Sequence, residues 1–165
     1  MRILGIDPGL ATIGYALVDK KTNHFDVLEY GVIKTSADKE DTERLEIIHH
    51  NIEELIKEFR PEEMAVEELF FNKNVKTAIM VGQARGVILL AGSQAGLKVY
   101  EYTPLQVKQA VVGYGRARKE QVQQMVKALL NLEEIPRPDD SADALAVSIC
   151  HGNSYSVGKK WGGIV

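Results

Sequence analysis

Hydrophobic positions in the first 35 residues come in short runs that are typical of β-strands. Three runs, Arg2–Asp7, Gly14–Val18 and Phe25–Lys34, predict three strands. The segments between them are short, which favours an antiparallel meander because each strand can return beside its neighbour through a tight turn.

After these strands the apolar residues recur every three or four positions, the spacing of one helix face. The first such segment runs from Asp41 to Phe59, and its other positions are mostly acidic. Two strands and a helix between them come next: strand Met64–Glu67, helix 75–95 and strand Leu97–Tyr102. Three helices follow, at Pro104–Val112, Lys119–Leu130 and Asp140–His151. Thr103 and Pro104 suit the cap and the first residue of their helix.

This order of elements predicts an α/β fold. Three antiparallel strands followed by helix–strand–helix–strand units indicate a mixed five-stranded sheet, with three antiparallel strands and then two parallel ones, flanked by helices. Residues 1–152 are predicted to form a single domain, which is an ordinary size for one hydrophobic core. Residues 153–165 are rich in glycine and serine and are predicted to be a flexible C-terminal tail.

Composition is that of an ordinary globular protein, with 45% hydrophobic and 26% charged residues. The longest apolar region, Ala78–Gly92, is interrupted by Gln83 and Arg85, so no membrane span is expected. A single cysteine, Cys150, excludes an intramolecular disulfide and is compatible with the reducing cytoplasm.

Charge is distributed unevenly along the chain, although the net charge is only -3. Residues 38–70 carry twelve acidic and four basic side chains, whereas residues 71–119 carry eight basic ones and the single acid Glu101. A local excess of basic side chains can contact phosphates whatever the total charge of the protein. We therefore favour a nucleic-acid-binding face over an ordinary solvated surface.

Three acidic clusters, far apart in sequence, are the main chemical signal. Asp7 and Glu67 each end a short apolar run, so they are expected at the carboxyl ends of neighbouring strands, where α/β sheets place ligands. Asp140 and Asp143 are three positions apart at the start of a predicted helix, which puts them on one helix face. Carboxylates beside buried strands are costly unless they are paired or bind cations.

Such a set of carboxylates suits Mg²⁺, which prefers oxygen ligands in octahedral geometry. Two bound ions would supply a hydroxide nucleophile and stabilise the leaving oxygen, so phosphodiester hydrolysis is the expected reaction. Each acidic element alone has a plainer interpretation: Asp7-Pro8-Gly9 as a turn, Glu67 as an exposed strand-end acid, and Asp139-Asp140 as a helix cap. Asp139 itself is interpreted as the N-cap.

Five motifs spread over residues 1–152 carry a family resemblance, and they are Gly5-Ile6-Asp7-Pro8-Gly9, Ala65-Val66-Glu67, Gly82-Gln83-Ala84-Arg85-Gly86, Val107-Lys108-Gln109 with Val112-Gly113, and Asp140-Ser141-Ala142-Asp143-Ala144-Leu145-Ala146. Together they resemble the RuvC family of Holliday-junction resolvases, in the RNase H-like superfamily. The resemblance implies an RNase H-like nuclease domain over residues 1–152.

The same resemblance implies a Mg²⁺ site formed by Asp7, Glu67, Asp140 and Asp143, with Mn²⁺ as a substitute. It also implies symmetric nicking of a four-way junction that leaves 5′-phosphate and 3′-hydroxyl ends, in DNA recombination and repair. The expected partners are a second copy of the chain and the RuvA–RuvB branch-migration complex. Glu68 follows the matching glutamate, but on a strand it points to the opposite face, so we assign it no catalytic role.

Candidate DNA contacts follow from the basic segment and from the family motifs. Phe70 matches a family aromatic residue that stacks near the junction crossover. The full predicted set is Phe70, Lys73, Lys76, Arg85, Lys108, Arg116, Arg118 and Lys119. Lys108 and Lys119 have the alternative of being plain surface lysines, and Arg85 that of pairing with the acidic helix.

The second predicted helix carries small residues that permit close packing against another helix. They are Gly82, Gly86, Ala91, Gly92 and Ala95. We interpret this helix as part of a dimer interface, because two identical sites suit a nearly two-fold symmetric junction. Tight packing onto its own sheet is an equally plain alternative.

Other classes stay open from the sequence alone. Another nuclease on the same fold, either an RNase H-like enzyme or a YqgF-like RNA-processing protein, would carry similar acids. The basic loop Gly113-Tyr114-Gly115-Arg116-Ala117-Arg118 and Phe70 favour junction DNA instead. The Asp7-Pro8-Gly9 element also resembles the phosphate loop of actin- and sugar-kinase-type ATP-binding proteins, but those need a second domain. A junction-binding protein without catalysis is disfavoured by the complete set of acids.

Overall fold

One five-stranded mixed sheet runs through the part of the chain that the structure, a computed structural model, describes: residues 1–69 and 75–160. Its strands are β1 Arg2–Asp7, β2 Thr12–Lys20, β3 Phe25–Lys34, β4 Glu63–Glu67 and β5 Lys98–Tyr102. They lie in the order β3-β2-β1-β4-β5. The β1–β2 and β2–β3 pairs are antiparallel, and the β1–β4 and β4–β5 pairs are parallel. The predicted fold class is confirmed.

Five helices accompany these strands in the described residues. They are α1 Asp41–Phe59, α2 Val75–Gln94, α3 Pro104–Val112, α4 Lys119–Leu129 and α5 Asp139–Lys160. The predicted end of the last helix at His151 is wrong, because α5 continues into the segment that the sequence assigned to a tail. Residues 161–165 lie outside the described residues, and the flexibility of the tail stays a prediction.

The sheet is buried on both faces, which explains why β1 shows no alternation of apolar and polar residues. Ile3 packs into one cluster with residues of α3, α4 and α5. Leu4 and Ile6 pack into a second cluster with residues of α1 and α2 on the opposite face. Within the described part of the chain, no helix is both long and apolar enough to cross a membrane.

Helix α5 approaches the sheet unusually closely, and two glycines make this possible. A Cβ at Gly5 of β1 would lie 2.1 Å from Ser148 Oγ and 2.6 Å from the carbonyl oxygen of Ala144. A Cβ at Gly14 of β2 would lie 1.9 Å from the carbonyl oxygen of Asp140. Since these distances are far inside van der Waals contact, any side chain there would push α5 away from the sheet.

The start and end of α3 follow ordinary capping chemistry. Thr103 accepts a hydrogen bond from the backbone N–H of Gln106, whose side chain accepts from the Thr103 backbone N–H in return. This capping box confirms the predicted start at Pro104. Gly113 ends the helix with a φ of 77°, a left-handed conformation that favours glycine. The helix is therefore held in a defined position at the carboxyl end of β5.

A buried polar network joins α5 to the two parallel strands. His151 Nε2 lies 2.7 Å from Glu63 Oε2, and His151 Nδ1 lies 2.7 Å from the Tyr102 hydroxyl. Burial lowers the pKa of His151 and raises that of Tyr102 to about 12. Because both polar ends of the imidazole are satisfied, this network fixes α5 against β4 and β5 without leaving a buried polar group unpaired.

The glycine contacts generate a stability prediction. Gly5→Ala is expected to lower the free energy of unfolding by about 2 kcal/mol or more, because the new methyl group overlaps α5. Gly82→Ala is the matched control, since nothing lies within 4 Å of its Cβ position and alanine favours a helix by up to about 1 kcal/mol. Urea unfolding of both variants checks this, and equal stabilities would contradict it.

Candidate active site

Asp7 and Glu67 lie next to each other at the carboxyl ends of two inner strands of the sheet. Strands β1 and β4 run parallel with Ile6 opposite Val66, so the two acids follow at the same level. Along each strand they alternate with residues that face α5: Gly5 contacts that helix, and Ala65 belongs to its cluster. Both carboxylates therefore point to the face that α5 covers, as the sequence predicted for the ends of neighbouring strands.

The first turn of α5 brings two more acids to the same place. Gly14 is paired with Asp7 in the β1–β2 ladder, and it is also the residue that packs against the backbone of Asp140. Asp143 lies three positions further along the same helix. The close approach of α5 thus places Asp140 and Asp143 beside Asp7.

Crowding of these carboxylates changes their protonation. Burial, reinforced by the charges of Glu67, Asp143 and Asp140, raises the pKa of Asp7 to about 8. Burial and the charge of Asp143 raise the pKa of Glu67 to about 7, although a hydrogen bond with Asp7 opposes this. Burial also raises the pKa of Asp143. A cluster of this kind is stable in its charged form only when positive charge is near.

Lys119 supplies one positive charge from the first residue of α4. Its Nζ lies 3.0 Å from Asp143 Oδ2 and 3.5 Å from Asp139 Oδ2. Burial alone would lower the pKa of Lys119, but the hydrogen bonds and charges of Asp143 and Asp139 together outweigh it, and the net direction is upward. Lys119 and Lys108 line one cleft together with Glu67 and Asp143. Two cations and two acids therefore share the opening of the site.

The donor set fits a hard divalent cation, because it consists of buried carboxylate oxygens whose mutual repulsion a cation would relieve. Among the described residues, however, no three acidic, histidine or cysteine side chains are already arranged to hold a metal ion. Asp143 is paired with Lys119 in this arrangement. Because side chains rotate more readily than the strands and helix that carry them, the positions of these acids still suit a divalent cation.

The remaining predicted contacts have mixed outcomes. Lys108 and Lys119 border the acidic cluster, and Arg116 and Arg118 are exposed just before α4. Arg85 pairs with Glu101 of β5, so the suggested pairing with the acidic helix is wrong. The reason is that α2 packs against β5, a contact that sequence spacing does not reveal. Phe70, Lys73 and the side chain of Lys76 lie outside the described residues.

Two polar residues near the site were missed or misassigned. Asp139 was predicted as an N-cap, but it is the first residue of α5, and its Oδ1 accepts a hydrogen bond of 3.0 Å from Gln123 Nε2. Gln123 belongs to α4, so no local pattern could have linked the two. Glu68 lines a separate cleft with Arg85 and Glu101, consistent with its assignment to the opposite face.

The mixed sheet, with acids at the ends of β1 and β4 and at the start of α5, defines a protein of the RNase H-like class. The sequence model described as crossover junction endodeoxyribonuclease RuvC matches residues 3–151. The RuvC protein of Halothermothrix orenii is 68% identical over 98% of this chain and 98% of its own length. The chain belongs to the RuvC family of crossover junction endodeoxyribonucleases.

Solved structures agree with this assignment. The Thermus thermophilus RuvC structure has a TM-score of 0.90 at 42% identity, covering 96% of this chain and 97% of that one. T. thermophilus RuvC in complex with a Holliday junction substrate has a TM-score of 0.88 at 40% identity, with the same coverage of 96% and 97%. Of the families that the sequence left open, these comparisons identify the RuvC family.

The raised pKa of Asp7 predicts an effect on stability. Unfolded Asp7 ionises near its ordinary pKa of 3.8, but the folded protein keeps the proton until about pH 8. The folded state therefore binds more protons in this window, and its stability falls as the pH rises. Asp7→Asn has no carboxyl group to ionise, so it should not lose stability in this way. Its melting temperature should exceed that of the wild type by several degrees at pH 8 in EDTA, because each unit of pKa shift is worth about 1.4 kcal/mol.

Thermal unfolding at pH 4 and at pH 8 checks this prediction. At pH 4 the difference between the two proteins should be small, because Asp7 is then largely protonated in the folded state and close to half protonated in the unfolded state. Glu46→Gln serves as the control, since Glu46 is exposed on α1. A difference that does not grow with pH would show that the carboxylates do not repel each other as described.

Proposed function

We propose that the protein is a structure-selective endonuclease that cuts Holliday junctions, in DNA recombination and repair. The observation that carries this proposal is the convergence of buried, mutually repelling acids from β1, β4 and α5 beside two lysines. An acidic cluster attracts metal ions, while lysines at its mouth attract the phosphates of a nucleic acid. Membership of a family whose members carry the name crossover junction endodeoxyribonuclease selects junction DNA among phosphate-containing substrates.

Mg²⁺ is the proposed cofactor, at two ions per site, with Mn²⁺ able to substitute. Asp7, Glu67, Asp140 and Asp143 are the residues that would hold it. When bound, such ions supply a hydroxide nucleophile and stabilise the leaving oxygen. The raised pKa values of Asp7 and Glu67 support this proposal, because a cation returns both groups to the ionised form that binds metal.

The side chains of the protein have complementary tasks in this proposal. Lys108 and Lys119 hold the scissile phosphate at the cleft through charge, and Lys119 exchanges its contact with Asp143 for one with the substrate. Cleavage breaks the bond between phosphorus and the 3′ oxygen, so the products carry 5′-phosphate and 3′-hydroxyl ends. Arg116 and Arg118 are exposed beside the cleft and are proposed to contact neighbouring phosphates.

A homodimer is part of the proposal, since symmetric nicking needs two identical sites. Helix α2 offers a suitable outer face: Ile79 is 59% exposed and Leu90 50% exposed, and nothing lies within 4 Å of a Cβ at Gly82 or Gly86 between them. Gly92, by contrast, packs against Met64 of its own sheet. Gly82 and Gly86 therefore suit the proposed dimer interface, whereas Gly92 suits tight packing onto the sheet of its own chain.

Further partners and the location follow from the same family. We propose that the protein cooperates with the RuvA–RuvB branch-migration complex. The single, buried Cys150 is compatible with work in the reducing cytoplasm, which is the proposed location.

Cleavage of a four-way junction in the presence of Mg²⁺ tests the proposal, with Glu67→Gln and Glu68→Gln as a matched pair. Glu67→Gln and Asp7→Asn should each slow cleavage by about 100-fold or more, because a ligand of the proposed metal site is lost. Glu68→Gln should cleave at nearly the wild-type rate, because Glu68 faces the opposite side of the sheet.

Substrate and cofactor controls complete the test. EDTA should stop cleavage, and RNA–DNA hybrids or linear duplexes should be cut far more slowly than junctions. Undiminished cleavage by Asp7→Asn, or equal losses for Glu67→Gln and Glu68→Gln, would contradict the proposed site.

The dimer is tested separately. Gly86→Trp places a large side chain on the open outer face of α2, so it should shift the protein from dimer to monomer in light-scattering measurements without unfolding it. Glu46→Trp, on the exposed side of α1, is the control and should leave the mass unchanged. A dimer that survives Gly86→Trp would remove α2 from the interface.

A further inference from the structure

Lys119 contacts two carboxylates, and only one of them belongs to the proposed metal site. Asp143 Oδ2 lies 3.0 Å from the ammonium, and Asp139 Oδ2 lies 3.5 Å from it. The Asp139 side chain is 42% exposed, more than the 29% of Asp143. Asp139 is therefore the outer of the two partners and remains available to Lys119 when Asp143 binds something else.

Asp139 is itself held in place by α4. Gln123 Nε2 donates to Asp139 Oδ1 over 3.0 Å, and the Gln123 residue is only 5% exposed. Arg137 donates to the same oxygen. One carboxylate oxygen is thus fixed by a buried amide and an arginine, which leaves the other oxygen directed towards Lys119.

This arrangement matters because a lysine side chain is flexible. Four rotatable bonds separate the ammonium from the backbone, so an ammonium without a fixed partner loses its position. Lys119 lies one helical turn before Gln123 on α4, and Asp139 begins α5. The contact with Asp139 thereby defines the position of Lys119 relative to the acids of α5.

We propose that Asp139 is a positioning residue, which keeps the Lys119 ammonium at the mouth of the acidic cluster when Asp143 is engaged by metal or substrate. This inference rests on the proposed function for its catalytic consequence, although the contact between Asp139 and Lys119 does not. Asp139 acts through Lys119 and does not touch the reacting phosphate.

A double-mutant cycle tests the proposal. Asp139→Asn keeps the shape of the side chain but removes its charge, and it should slow single-turnover junction cleavage by about 5-fold while leaving the junction Kd unchanged. In a Lys119→Met background the same substitution should change the rate by less than about 1.5-fold, because the residue that Asp139 positions is gone. Equal effects in both backgrounds would overturn the proposal.

A second readout does not depend on activity. Acetylation of lysines in metal-free protein is followed by mass spectrometry in an Asp143→Asn background, which removes the competing carboxylate charge. Adding Asp139→Asn to this background should modify Lys119 about 3-fold faster, because the ammonium then has neither carboxylate to hold it. Lys127, at the other end of α4, should react at the same rate in both proteins. Glu134→Gln, an exposed acid in the same connection to α5, is the control variant and should change neither rate.

The two readouts separate the possible failures. Unchanged labelling of Lys119 when Asp139→Asn is added to Asp143→Asn overturns the positioning role, even when Lys119→Met cleaves too slowly for the cycle. If the wild type does not cut junctions, the proposed function is refuted. Faster labelling of Lys119 would in that case still establish its contact with Asp139. Melting temperatures of all variants exclude unfolding as the cause of either change.

Discussion

The close contact between α5 and the sheet sets both the packing of the core and the positions of the acids. Gly5 and Gly14 bring the helix backbone almost against β1 and β2. Because Gly14 is also the ladder partner of Asp7, the same contact that packs the core sets the position of Asp140 and Asp143. Packing and chemistry are therefore coupled: a side chain that separated helix from sheet would also take the acids apart.

The site is electrostatically expensive, and the surrounding residues reduce that cost in part. Burial and mutual repulsion raise the pKa of Asp7 to about 8 and that of Glu67 to about 7. Lys119 offsets some of the negative charge, and it is held from the outside by Asp139. Strongly shifted pKa values of this kind, obtained at a cost in stability, are a recurrent property of functional clusters.

The two faces of the sheet have different roles. On one face, α3, α4 and α5 surround the acids, and the buried Glu63–His151–Tyr102 network fixes α5 to the parallel strands. On the other face, α1 and α2 cover the core, and α2 presents Ile79 and Leu90 to solvent. The acids are thus concentrated on one side, while the other side carries two large apolar side chains that are exposed.

Most of the fold was predictable because its signals are local. The strand Arg2–Asp7, the helix with its capping box at Thr103, and the alternation that directs Glu67 and Glu68 to opposite faces all depend on neighbours in sequence. These patterns also determined that Asp7 and Glu67 end adjacent strands. The pairs that meet across elements follow instead from the packing of the helices: Lys119 with Asp139, Gln123 with Asp139, and Arg85 with Glu101. Such contacts depend on how helices cross, and a linear pattern of residues carries no information about the crossing.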